Sequence, residues 1–177
     1  DQMLMSLATR VGGQPGRGSN LGNSEGGGSP NTRNILEIIQ KAGSPAILIG
    51  HSFAGRTYYP LGASQPDRVA AVVALEADGC ITREDELGGF ADEVPYLTLY
   101  GDYLDTRAQT GRRDGCQQMA DLIAQAGGTG ELWNLPEMGI RGNSHQLMQD
   151  RNSHQLAQMV MQWLEQKDET AVTGLPE

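Results

Sequence analysis

One serine stands out among the side chains able to do chemistry. Residues 46–55 read Ala-Ile-Leu-Ile-Gly-His-Ser-Phe-Ala-Gly, so a short apolar run ends in Gly50-His51-Ser52 and small residues follow at Ala54 and Gly55. A serine on a sharp strand-to-helix turn, with small neighbours that let the helix pack close, is a nucleophile elbow. The usual pattern is G-x-S-x-G. Here Ala54 fills the last place, one methyl larger, with Gly55 behind it. An ordinary strand–loop–helix junction is the competing reading of these residues.

A serine hydroxyl is a weak nucleophile until a base takes its proton. The chain offers His51, His145 and His154. His51 adjoins Ser52, so its side chain leaves the turn in another direction and reads as lining or packing. His154 falls inside the last predicted helix and reads as a helix-surface or packing residue. His145 follows the last predicted strand, where the base belongs when the order along the chain is serine, acid, histidine. The string Asn-Ser-His-Gln-Leu occurs at 143–147 and again at 152–156, so the string alone does not choose between His145 and His154. For the acid that orients the imidazole, Glu76 ends the apolar run 69–75, where a buried carboxylate is costly without a partner. Asp102 and Asp105 follow the next strand, the commoner place for such an acid, and strand order alone favours the aspartates slightly.

The elements that must position these groups read clearly after Pro30. A helix capped by Asn31 or Thr32 runs to about Ala42 and is closed by Gly43. Strand 46–50, a helix over 55–64, strand 69–75, a loop over 77–93, strand 96–100, a helix over 114–126, strand 131–135 and a helix over 152–166 follow. Leu156, Met159, Val160, Trp163 and Leu164 form the buried stripe of the last helix. Strands alternating with helices imply a parallel sheet. Four strands, each followed by a helix, match the second half of an α/β-hydrolase domain, and the first half has no evident counterpart. Residues 1–30 read as an N-terminal extension, helical in composition at first and then Gly/Ser-rich, and 31–177 as the C-terminal half-domain. Gly16-Arg17-Gly18 is not a phosphate loop: no strand precedes it and no Gly-Lys-Ser/Thr follows.

The chain has 177 residues, enough for one domain with a core, and a net charge of −9 that argues against nucleic acid or an anionic membrane surface as partner. No apolar stretch approaches ~20 residues, so no membrane span is expected. The first residue is Asp1, which reads as a processed chain or a piece of something longer. The two cysteines, Cys80 and Cys116, include no CxxC pair; they are either free buried thiols or one bridge in an exported protein.

From about residue 45 onward the chain resembles a small group of secreted bacterial α/β-hydrolase esterases. The matching pieces are GHSFAG (50–55), LEADGC (75–80), PYLTLYGD (95–102), Cys116 in its helix and GNSHQLMQDRN (142–152). The resemblance implies a Ser52–His145–Glu76 triad, with the acid in the LEADGC segment rather than at the aspartates. It also implies a Cys80–Cys116 disulfide that steadies the loop after Glu76, and a secreted or periplasmic location. Ala54, the unmatched Gly-rich segment and the missing first half are departures from it. With that half goes one oxyanion donor; the other is expected to be the backbone N–H of Phe53.

The expectation is therefore ester hydrolysis through an acyl-enzyme, with no metal or organic cofactor. Tyr58, Tyr59, Tyr103 and Leu104 are candidate pocket residues. A companion chain, produced by nicking inside a long loop, is expected to supply the first half, and a homo-oligomer is left open. A lactonase, amidase or thioesterase using the same triad is an alternative. So is a non-catalytic binding subunit. An Asp-nucleophile hydrolase is disfavoured by the serine at the elbow.

Overall fold

The computed structural model describes residues 30–173, so the expected extension over 1–30 lies, but for Pro30, outside the described residues. Helix α1 spans Pro30–Ala42, strand β1 Ala46–His51 and helix α2 Gly55–Ser64. Strand β2 (Val69–Leu75) and strand β3 (Tyr96–Tyr100) match the apolar runs that predicted them. Helix α3 (Thr110–Ala126), strand β4 (Gly130–Asn134) and helix α4 (Ser153–Thr173) complete the order. Asn31 and Thr32 lie inside helix α1 rather than capping it. Helix α3 starts at Thr110 rather than near Asp114. Its first turn is polar, and the amides of Arg112 and Arg113 bond back to the Gln109 carbonyl without any apolar signal. The loop over 77–93 holds two short 3-10 turns, Glu84–Glu86 and Gly88–Ala91.

The four strands pair in the order β1-β2-β3-β4, all parallel. Both faces are covered, as a parallel sheet requires. On one face Leu48, Val72, Ala74 and Tyr96 pack with Ile39 of α1, Tyr58, Tyr59 and Leu61 of α2, and Met119 and Ile123 of α3. On the other, Ala71, Val73, Leu97 and Leu99 pack with Leu156, Val160, Trp163 and Leu164 of α4. The chain is thus a parallel α/β sheet flanked by helices.

The register sets where the strands stop. His51 is level with Leu75, Leu75 with Leu99, and Tyr100 with Asn134. The residues that follow, Ser52, Glu76 and Gly101, therefore emerge along one carboxyl edge. A disulfide joins Cys80 to Cys116 with Cα atoms 5.0 Å apart, tying the loop after β2 to α3. Among the described residues β1 pairs only with β2, and no helix is long and apolar enough to cross a membrane.

Candidate active site

Strand β1 ends at His51, and Ser52 turns sharply into a 3-10 segment, Ser52–Ala54, that leads into α2. The turn puts Ser52 at φ 54°, a left-handed conformation that non-glycine residues avoid unless their surroundings enforce it. Close packing explains the small neighbours. A Cβ at Gly50 would run into the Tyr58 ring and lie 2.8 Å from the Ala54 methyl, so the missing side chain at 50 accommodates the extra methyl at 54. A Cβ at Gly55 would stand 2.5 Å from the Asp78 carbonyl oxygen. Asp78 also donates its backbone N–H to the Ser52 carbonyl at 3.1 Å, stitching the loop after β2 to the turn.

His145 Nε2 lies 3.0 Å from Ser52 Oγ, and His145 Nδ1 lies 2.7 Å from Glu76 Oε2. A neutral ring protonated on Nδ1 satisfies both contacts: Nδ1–H donates to the carboxylate, and Nε2 accepts from the hydroxyl. The Glu76 side chain is wholly buried, at 0% exposure, and its backbone adopts φ 42°. Its oxygens accept from the Gly101 N–H at 2.8 Å and from Arg107 Nη2 at 3.1 and 2.9 Å. Of the three carboxylates considered from sequence, Glu76 is the one that meets the imidazole. Asp102 is engaged elsewhere: its Oδ2 accepts the Asn143 N–H at 3.0 Å, and its own N–H donates to the Asn143 carbonyl at 2.9 Å. Asp105 is exposed.

The loop presenting His145 is held by polar side chains. Asn143, fully buried, forms a reciprocal amide pair with Asn152 at 2.7 and 3.1 Å. Asp150 accepts from both the N–H and the hydroxyl of Ser144 at 2.8 Å. The two Asn-Ser-His-Gln-Leu strings thus meet through their first residues; the first histidine faces Ser52, and the second, His154, is exposed on α4. His51 Nε2–H donates to the His145 carbonyl at 2.7 Å, with ring centroids 4.4 Å apart. Burial pushes His51 below its ordinary value, against the raising effect of that carbonyl, and so favours the neutral ring.

Phe53, directly after Ser52, is 69% exposed, and the Arg56 guanidinium lies 4.9 Å above its ring. Arg56 in turn makes a two-point ion pair with Asp78, both contacts at 3.1 Å. Of the four candidate pocket residues, Tyr58, Tyr59 and Leu104 are core residues and Tyr103 is exposed. Packing rather than ligand access explains Tyr59: its ring meets Tyr96 edge-on at 5.7 Å. Arg107, Asp78, Arg56, Asn143, Asp150 and Asn152 were not singled out from the sequence. For Arg107 the available signal was indirect, namely that a buried carboxylate demands donors or a cation. Among the described residues no group of three or more His, Cys, Asp or Glu is arranged to hold a metal ion.

No protein-family model matches the chain, and no curated protein does. Among solved structures, the chain is similar to one described as a novel bacterial esterase, with 29% sequence identity and a TM-score of 0.72. The likeness covers 78% of this chain and 43% of that one, so the chain spans less than half the length of that esterase. The fold is therefore esterase-like: a parallel α/β sheet whose carboxyl edge gathers a serine, a histidine and a glutamate.

Proposed function

We propose that this chain carries the catalytic triad of an α/β-hydrolase and forms the C-terminal half of that fold. The reaction is hydrolysis of a carboxylic ester through an acyl-enzyme. The observation that carries the reading is the unbroken line from Ser52 Oγ to His145 Nε2 (3.0 Å) and from His145 Nδ1 to Glu76 Oε2 (2.7 Å). Ser52 attacks the ester carbonyl while His145 takes its proton. Glu76 holds the productive tautomer and stabilises the imidazolium. His145 then returns the proton to the leaving alcohol, and a water activated by the same imidazole releases the carboxylic acid. The N–H of Phe53 is one donor to the oxyanion. The second donor comes from polypeptide completing the fold, the companion half; the 43% coverage of the esterase supports this. Lactones, thioesters and amides would follow the same steps, and carboxylic esters are preferred because the solved neighbour is an esterase. A secreted or periplasmic location accords with the disulfide, since such bridges persist in oxidising compartments.

The test is covalent labelling of the full-length protein with a fluorophosphonate probe, beside turnover of 4-nitrophenyl acetate. Labelling on Ser52 that disappears in Ser52→Ala is expected. Glu76→Gln should lower kcat by about 10³–10⁴-fold, because an amide favours the wrong tautomer. Asp102→Asn should retain most activity. An unlabelled wild type would leave a non-catalytic binding subunit as the better description. Equal losses in the Glu76 and Asp102 variants would remove Glu76 from the triad.

A further inference from the structure

The carboxylate of Glu76 is sealed from solvent, yet a guanidinium reaches it. Arg107 Nη2 lies 3.1 Å from Oε1 and 2.9 Å from Oε2. That group is itself fixed: Nε donates to the Tyr103 carbonyl at 3.2 Å, Nη2 to the Asp102 carbonyl at 3.0 Å and Nη1 to Gln109 Oε1 at 2.8 Å. The loop carrying it is wound for the purpose. Tyr103 (φ 65°) and Ala108 (φ 52°) join Ser52 and Glu76 as the non-glycine residues with positive φ among those described. Such conformations persist where the surroundings over-determine them, and they cluster at functional sites. Here all four belong to the turn, to the acid, or to the loop that grips the acid.

We propose that Arg107 is a positioning residue for the Glu76–His145 pair: it orients the carboxylate and, through a fixed positive charge beside it, keeps the imidazole free of its second proton at rest. The proposal rests on the catalytic reading above. At rest the guanidinium and carboxylate charges cancel, and a neutral ring can accept from Ser52. Without the guanidinium, a lone buried carboxylate draws a proton onto the ring, and a ring protonated at Nε2 cannot act as base. The other groups facing the pair do not supply this charge. His51 packs beside the imidazole from the end of β1, and burial favours its neutral form. Tyr100, at the end of β3, is uncharged, burial having pushed its hydroxyl far above the ordinary range. The carboxylates nearby are engaged by other donors: Asp102 by the Asn143 N–H, Asp150 by Ser144, and Asp78 by Arg56 and, at 3.9 Å, by Arg112, the other cation on this side of the site.

The test compares wild type with Arg107→Gln, Arg107→Met and Arg107→Lys in the full-length protein. The readouts are the rate of fluorophosphonate labelling of Ser52 and kcat/KM on 4-nitrophenyl acetate, each against pH. In the Gln and Met variants the acid-side midpoint should rise by about one pH unit, which is about a tenfold loss at a fixed pH on that limb. KM should stay within about twofold, and Arg107→Lys should keep the wild-type midpoint at a reduced rate. A wild-type midpoint in the neutral variants overturns the proposal, as does a lysine variant that shifts with them. Should neither neutral variant fold, a folded lysine variant with the wild-type midpoint supports it and an unfolded one overturns it. An unlabelled wild type instead removes the catalytic reading itself, so the two failures are distinct.

Discussion

His51 shows how much one side chain at this edge is asked to do. It ends β1, hands the chain to Ser52 and ties the His145 loop to the turn through one 2.7 Å hydrogen bond. Its burial has a thermodynamic consequence. The unfolded chain protonates this imidazole around its ordinary value of 6.5, whereas the folded protein holds it lower. As pH falls through that value the unfolded state binds more protons, so the stability contributed by neutral His51 declines. His51→Gln keeps an N–H donor and removes the titration. The stability of wild type relative to His51→Gln should therefore shrink between about pH 7 and pH 5. Thermal unfolding of both proteins across that range measures it, and a constant difference would refute it. The meeting of Ser52 and His145 was legible from their places in the chain, one in a turn of small residues and the other after the last strand, although the repeated Asn-Ser-His-Gln-Leu string left His154 open. Glu76 was harder to read, since Asp102 sits just two residues beyond the next strand and competes for the same role. The choice lies in register: the residue after Leu75 comes level with the residue after Leu99, and backbone contacts with Asn143 turn Asp102 toward the histidine loop. Arg107 carries no local signature at all, because its partners lie 31 residues back and within its own irregular loop.

At the scale of elements, the segment from Glu76 to Cys80 is the joint on which the site turns. Glu76 reaches the imidazole, Asp78 holds the Ser52 carbonyl and Arg56, and Cys80 is bonded to α3. The bridge closes a loop of 36 residues, and removing such a crosslink typically costs about 2–4 kcal/mol. Replacing both cysteines by alanine should lower stability by about that amount in urea unfolding. Under the triad reading it should also lower kcat more than it raises KM, because the acid loses its anchor. Unchanged kcat in a folded double variant would mean that the bridge serves stability alone. The strands and most helices were legible because apolar runs and glycine or proline stops mark them. The start of α3 was not, since its first turn, Thr110 to Arg113, presents no apolar residue to betray the period.

Among the described residues the sheet ends in two open edges, β1 and β4, and the β1 edge is the one that leads into Ser52. Strand β1 is bonded to β2 on one side, and Ile47 and Ile49 are half-buried beneath α4. An exposed parallel edge presents a row of unpaired backbone groups ready to accept a further strand. Paired with the companion half we propose, the β1 amides that face away from β2 should slow in hydrogen exchange. Those of β2 and β3, already interior, should change little. Equal exchange at β1 with and without that half would place the contact elsewhere. The strands stand side by side in the order they are synthesised, and Ser52, Glu76 and His145 all follow the start of β1 in the chain. Under the proposed reading, the proton relay, though not the second oxyanion donor, is therefore a single inheritable cassette. Recombination upstream of β1 could exchange whatever shapes the ligand's surroundings and leave the proton relay untouched.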